Sequence, residues 1–309
     1  MEMALILFNR LLILFIIIAI GYAGVKSGLL KLSDIKGLSM VTLYIIGPFA
    51  AMNGFKVECT PDVLGGVALA AVFATLAHVV FLVMTKLLEK PLKLTDIESM
   101  SIMYSNVGML SIPLVTMMLG SEWVLYTCVY NLVQLVWIWT HLYMKMSGEQ
   151  RINVKKFITN PNVIAIFLGI LILFFGFRFP TPVDTAIEMI AAMIGPAGML
   201  ISGMSIGGMS FKHLLSFRRE WLVVFLRLIA MPLIMVVIAH LGLKGLVKDG
   251  ETILMICMLA AAGPSGSTVL QMAQLYRDRD EADYAGAINV ITMLLCAITM
   301  PVIIYFYYL

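Results

Sequence analysis

Long apolar runs, separated by short joints of charged, proline or glycine residues, repeat along the whole chain. A helix needs about 20 mostly apolar residues to cross a bilayer. On that criterion the pattern predicts ten spans. They cover 4–25, 37–55, 63–85, 99–120 and 123–144 in the first half, then 161–177, 187–208, 221–243, 252–276 and 284–308 in the second. The sixth is short, held between Pro161 and Arg178. The longest polar joint runs only from Lys145 to Asn160, so the chain divides into a unit 1–146, a linker 147–160 and a unit 161–309.

Two of these spans are spoiled as helices. The fourth contains SNVGMLSIP at 105–113, where Asn106, Gly108 and Ser111 are poor helix formers and Pro113 removes an amide donor. The ninth contains GPSGST from Gly263 to Thr268. Inside a bilayer every backbone polar group needs a partner, so broken backbone persists only where protein or a wet cavity covers it. Paired breaks in corresponding spans of two halves are the sequence mark of a transporter's binding site. Each break also starts a new half-helix, whose free N–H groups and positive dipole end suit a carboxylate with no buried Lys or Arg required.

Composition supports the membrane reading. Hydrophobic residues make up 61% of the 309, charged residues only 13%, and the mean hydropathy is +0.99, which places the chain outside the soluble classes. Cys59, Cys128, Cys257 and Cys296 form no CxxC and have no histidine partners, so they read as packing residues and not as a disulfide framework or metal site. The start, MEMALILFNRLL, lacks a basic region and a cleavage site and reads as a first membrane helix.

The placement of positive charge sets the orientation. The joints after odd-numbered spans carry Lys26, Lys31, Lys36, Lys86, Lys90, Lys93, Lys145, Arg151, Lys155, Lys156, Lys212, Arg218, Arg219, Arg277 and Arg279. The opposite side has Arg10, Lys56, Arg178, Lys244 and Lys248. Fifteen against five puts the first set in the cytoplasm and both termini outside a plasma membrane. A repeat is also visible: IGPFAAMNG (46–54) in the second span and IGPAGMLISG (194–203) in the seventh. Five spans per unit is an odd number, so the second unit enters from the opposite side and the repeat is inverted.

The chain resembles the auxin efflux carrier family, which includes bacterial dicarboxylate permeases and the plant PIN-type auxin carriers, over nearly its whole length. Asn106 and Pro113 stand at the family's Asn-x6-Pro spacing, and Asn106 looks like its substrate-contacting asparagine. Asn160-Pro161-Asn162 resembles a family motif bordering the pocket, RLIAMPL from Arg227 resembles Arg-Leu-x-x-x-Pro-Leu, and Pro264-Ser265-Gly266 falls at the family's crossover proline. Tyr276 and the ending MPVIIYFYYL also match. Two departures are Ala262-Gly263-Pro264 in place of Met-Pro-Pro, and the lack of a long loop between the halves.

The resemblance implies an all-α integral membrane fold like that of sodium/proton antiporters and bile-acid transporters, with two inverted five-helix repeats and spans 4 and 9 crossing at their breaks. Together with the residues it gives a substrate site of Asn106, Gly108, Ser111, Pro113, Asn162, Pro264, Ser265, Gly266 and Ser267. Spans 3, 4, 5, 8, 9 and 10 would form a moving bundle and spans 1, 2, 6 and 7 a scaffold, with Gly47, Pro48, Gly195 and Pro196 as hinge points. The expected activity is alternating-access transport of small organic anions, dicarboxylates or auxin-like aromatic acids, with no cofactor, metal or nucleic acid. The expected partners are the lipid bilayer and the substrate, and the fold leaves room for a homodimer through the scaffold.

Two other readings remain open, a cation-coupled antiporter and a non-transporting receptor. The spans hold no deep Asp or Glu pair, and Gln271, Gln274, Asn131 and Gln134 cannot replace such charge. No Walker, HExxH or nucleophile-elbow motif supports an enzyme. Ser265, Ser267 and Thr268 divide between helix capping and substrate contact. Arg227 is the one basic residue deep in a span, a functional position by default, yet near enough to the expected cytoplasmic end to snorkel to the headgroups. His78 and His240 read as hydrogen-bonded packing residues, Glu188 as a charge at the start of span 7, and the 24 methionines as gap-fillers.

The charge segregation predicts that a cysteine introduced by Lys155→Cys reacts with an impermeant maleimide only from the cytoplasm, and one introduced by Lys248→Cys only from outside. Labelling of both from one face would defeat the ten-span parse.

Overall fold

The computed structural model describes residues 2–149, 155, 158–208 and 218–309. Most of the expected linker, with Arg151 and Lys156, and the joint that carries Lys212 lie outside the described residues. Among the described residues the chain is helical and forms no strand longer than a single bridge. The helices are α1 (Glu2–Lys26), α2 (32–53), α3 (Pro61–Leu92), α4a (Asp96–Met103), α4b (Val107–Leu119), α5 (121–147) and α6 (Pro161–Phe175). They continue with α7 (Thr181–Gly208), α8 (Glu220–His240), α9a (Gly250–Ala262), α9b (Ser267–Tyr276) and α10 (Arg279–Tyr307). Six of them, α1, α2 from Asp34, α3, α7, α8 and α10, are long and apolar enough to cross a membrane.

Several helices run past the expected spans. α3 continues to Leu92, α7 begins at Thr181 and α10 at Arg279. Apolar length marks only the part that needs hydrocarbon, whereas caps decide where a helix stops. Thr60 and Asp278 side chains accept the Val63 and Glu281 N–H groups at the starts of α3 and α10.

Proline shapes three of the helices internally. A wide turn of i→i+5 bonding precedes Pro48, Pro113 and Pro232, with N–H to carbonyl pairs Gly47–Thr42, Ile112–Val107 and Met231–Leu226. In such a turn the next carbonyl would face the proline nitrogen, which has no hydrogen to give. Leu43 is the carbonyl freed by Pro48, and it receives the Asn162 Nδ2 of α6 at 3.2 Å.

Glycine governs the contact of α1 with α7. A Cβ on Gly203 would lie 2.0 Å from the Ile18 carbonyl oxygen, so only a bare backbone allows this approach. The outward face of α1 carries Leu5, Phe8, Leu12, Ile16 and Ile20, exposed at i, i+3 and i+4 spacing, as lipid contact requires. Buried side chains concentrate on α9a, where every residue from Ile253 to Ala262 is at most 1% exposed. The two broken helices therefore form the centre of the molecule.

Charged residues tie the helices into two sets. Lys56 pairs with Asp184 and Glu188, joining the end of α2 to α7. Glu188 lies two turns inside α7 and faces a cation, so it is not the helix-start charge expected of it. Arg219 pairs with Glu98, Arg277 with Asp96, Lys145 with Asp96 and Glu89, and Lys248 with Asp62, all among α3, α4, α5, α8, α9, α10 and their loops. Among the described residues no ion pair joins the first set, α1, α2, α6 and α7, to the second.

Candidate functional site

α4a stops at Met103 because Tyr104 turns extended, and α9a stops at Ala262, with Gly263 extended ahead of Pro264. The freed segments run antiparallel past each other, with Ser105 opposite Ser265. Asn106 N–H donates to the Pro264 carbonyl and Gly266 N–H to the Tyr104 carbonyl, both at 2.9 Å. Each break therefore satisfies backbone groups of the other. A Cβ on Gly266 would lie 3.1 Å from the Ser105 carbonyl oxygen, so the two breaks approach closely there.

Side chains from three helices complete the crossing. Gln134 of α5 accepts from Ser105 Oγ at 2.9 Å and donates to the Ser105 carbonyl at 2.8 Å. Asn289 of α10 donates to the Ser265 carbonyl at 2.7 Å, and Thr292 Oγ1 accepts from Ser265 N–H at 3.1 Å. Arg227 of α8 is fully buried. Its guanidinium donates from Nη1 to the Ile102 carbonyl at 3.0 Å, from Nη2 to Ala261 at 2.7 Å and from Nε to Gly263 at 3.0 Å. It also lies over the Phe81 ring. The expectation that Arg227 snorkels is corrected. The carbonyls ending both first half-helices have no intrahelical partner, and they hold the side chain inside the protein.

A cavity of about 90 Å³ opens on one side of the crossing. Asn106, Gly108, Asn162 and Ser267 line it, together with Thr42, Asn131, Gln134, Thr268 and Gln271. Asn106 is 5% exposed and its Nδ2 has no hydrogen-bond partner. Gly108 faces open space, since a Cβ there would meet nothing within 4 Å. The first N–H groups of α4b and α9b start at this cavity and lack intrahelical partners. No residue lining it carries a charge.

Of the other residues read from the sequence, Gly47 also lines this cavity. Pro264, Ser265 and Gly266 form the bridge, and the Gly266 N–H is already committed to Tyr104. Ser111 is buried with its hydroxyl unpartnered, as is the Ser265 hydroxyl. Asn162 spends its Nδ2 on Leu43 and presents Oδ1 near Gly47, 3.0 Å from the Cβ position there. Pro113, Gly195 and Pro196 line a separate cavity of about 570 Å³ with α1 and the end of α2. A Cβ on Gly195 would lie 2.6 Å from Pro113 Cβ, so this glycine lets α4b and α7 touch. Gly47, Pro48, Gly195 and Pro196 all sit within helices.

Asn131, Gln134 and Gln271 were visible in the sequence only as uncharged residues in spans. The signal for them was the i, i+3 spacing of Asn131 and Gln134 on α5, and of Thr268 and Gln271 on α9b, which puts each pair on one face.

A larger chamber of about 360 Å³ adjoins the cavity and shares Leu43, Leu135, Ile138, Asn162, Thr268 and Gln271 with it. Thr159, Asn160 and Tyr276 form its rim, and Tyr44 and Trp139 its aromatic wall. Two buried carboxylates lie at the bundle's end, each one residue outside an expected span. Glu98 and Glu220 are both fully buried. Glu98 binds Arg219, Tyr284 and the Thr95 N–H, whereas the Glu220 oxygens have no partner. Neither lines the crossing cavity. His78 is buried with Nδ1 on the Ala74 carbonyl, a packing role.

A family model described as membrane transport protein matches the chain over residues 6–156 and 149–304. No curated protein matches the chain.

Gln134→Leu removes both partners of Ser105, and a buried group left unpaired costs about 1–3 kcal/mol. The expected result is a lower midpoint of thermal unfolding in detergent. Asn131→Leu, at a residue that lines the same cavity but does not bond Ser105, should change the midpoint much less. Equal effects would show that the Gln134 bonds do not hold the crossing.

Proposed function

Because the chain belongs to the membrane transport protein family, we propose that it is a secondary transporter of small organic anions, with its substrate site at the crossing of α4 and α9. The observation that carries this reading is the Asn106 amide, a buried donor with no partner at the edge of a cavity. Buried polar groups are rarely left unpaired, and a carboxylate supplies the missing acceptor. The N–H groups starting α4b and α9b, those of Val107, Gly108, Ser267 and Thr268, complete an anion-binding set.

Ten spans in two inverted repeats fit the way the crossing is held. Gln134 of α5 steadies the first break and Asn289 of α10 the second, the last helix of each unit acting on its own break. In this reading the unit boundaries at 146 and 161 stand, both termini lie outside the plasma membrane, and the chamber rimmed by Thr159, Asn160 and Tyr276 opens to the cytoplasm. The apolar and aromatic wall of that chamber would accommodate the rest of a carboxylic acid whose head lies at the crossing.

Movement follows from the two sets of helices. The bundle of α3, α4, α5, α8, α9 and α10 is tied internally by ion pairs, and the scaffold of α1, α2, α6 and α7 by Lys56. Between them the contacts are small or apolar: Pro113 on Gly195, Met109 on Gly198, and a long thiol bond from Cys128 to the Ala51 carbonyl at 3.7 Å. Such a surface slides without breaking a charged pair. The bundle would carry the crossing from one side to the other past Gly195, with Gly47, Pro48, Gly195 and Pro196 serving as bearing points as well as hinges. Coupling to a cation would have to use Glu98 or Glu220, at the end of the bundle and away from the crossing.

Asn106→Ala should weaken binding of carboxylates by about one to two orders of magnitude, since a hydrogen bond to a charged group contributes about 1.5–3 kcal/mol. Asn106→Asp should be worse, because it puts negative charge where the anion sits. Calorimetry on purified protein with aliphatic and aromatic carboxylates checks both. If Asn106→Asp binds and transports as well as the parent, Asn106 is a kink residue and the site lies elsewhere.

A further inference from the structure

Four helix ends meet at the crossing, and their partial charges oppose each other. The starts of α4b and α9b each carry roughly half a positive charge, and the ends of α4a and α9a roughly half a negative one. Left alone, these nearly cancel, and the crossing offers an anion hydrogen bonds but little net attraction. The expectation that the half-helix starts suffice without a basic residue omits the two opposed ends.

Arg227 sits on those ends. Its three donors take Ile102 of α4a and Ala261 and Gly263 at the end of α9a. Arginine keeps its charge even when buried, and this one has no acidic partner among the described residues. Three carbonyl dipoles solvate it, and its full charge offsets the two negative ends. The path to the site is short. Nε is 3.0 Å from the Gly263 oxygen, Pro264 is the next residue, and its oxygen takes the Asn106 N–H at 2.9 Å. The cavity wall itself has no charge.

We propose that Arg227 is a positioning residue that makes the crossing attractive to anions without touching them, by neutralising the C-terminal ends of α4a and α9a. This rests on the anion-binding reading of the cavity and adds the source of its sign selectivity. A unit charge on the order of 10 Å away, at an effective dielectric of about 20, changes the affinity for an anion by about tenfold.

A thiol placed at the site measures this potential with no substrate present. In full-length protein whose four cysteines are replaced by alanine, Asn106→Cys supplies the probe, and the pH dependence of its alkylation by neutral iodoacetamide gives its pKa. Adding Arg227→Gln should raise that pKa by about one unit, a tenfold change in thiolate at a given pH. Adding Arg227→Lys keeps the charge but loses the three-pronged fork, and should move it by much less. A merely structural role for the three hydrogen bonds predicts that Lys and Gln shift the thiol alike, and that result overturns the proposal, as does no shift with Gln. If Arg227→Gln does not fold, the Lys variant decides alone: a retained pKa supports the charge role and a raised one refutes it. Failure of the parent protein to bind any carboxylate, with the thiol shifts as expected, would instead count against the transport reading.

Discussion

Two chain breaks buried at the centre of a mostly apolar protein must satisfy each other's backbone, and the rest of the structure follows from that requirement. Tyr104 to Asn106 and Pro264 to Gly266 do so by a single antiparallel bridge with two main-chain hydrogen bonds. One bridge cannot serve every group at two helix ends and two helix starts. Gln134, Asn289 and Thr292 take the groups beside it, and Arg227 takes the carbonyls on the closed side. On the open side the helix starts and the Asn106 amide are left facing a cavity. The asymmetry is physical: carbonyl ends are satisfied by a cation of the protein, while the N–H ends face the cavity.

The same requirement explains why the bundle is tied and the scaffold contact is not. A crossing held by α5, α8 and α10 can move only if those helices move with it. The network of Arg219 and Tyr284 around the buried Glu98, and that of Arg277, Asp96 and Lys145, brace the bundle at one end. Against the scaffold the bundle presents Pro113 and Met109, which meet glycines of α7. Cohesion inside and slip outside are what alternating access asks of a multi-pass membrane protein.

Much of this was legible in the sequence, and the omissions have a common cause. The breaks at Asn106 to Pro113 and at Gly263 to Thr268 were visible because glycine, proline and asparagine violate helix propensity in an apolar run. The partners of those breaks were not. Asn289 and Thr292 lie within a helix whose local pattern they do not disturb, and the i, i+3 spacing of Asn131 and Gln134 marks a shared face without tying it to the break. Arg227 was visible but misplaced, because its distance from the span's end was judged against the headgroups and not against two unpaired carbonyl clusters from other helices. Gly266 stands among the expected substrate-site residues, whereas its N–H belongs to Tyr104. Helix limits at Leu92, Thr181 and Arg279 were missed because apolar length sets the span and capping sets the helix. Local conflict with a helix shows in a sequence, and long-range compensation does not.

The pairing of the two breaks is the claim on which the others depend, and a cross-link tests it most directly. Residues opposite each other in an antiparallel bridge have Cα atoms about 4.5–5.5 Å apart, within the range a disulfide spans. In protein without its four native cysteines, Ser105→Cys with Ser265→Cys should oxidise to an intramolecular disulfide. After cleavage of an introduced protease site between the halves, the two fragments should then stay linked until reduced. Fragments that separate without reductant, from protein that remains folded and monodisperse, would contradict the crossing.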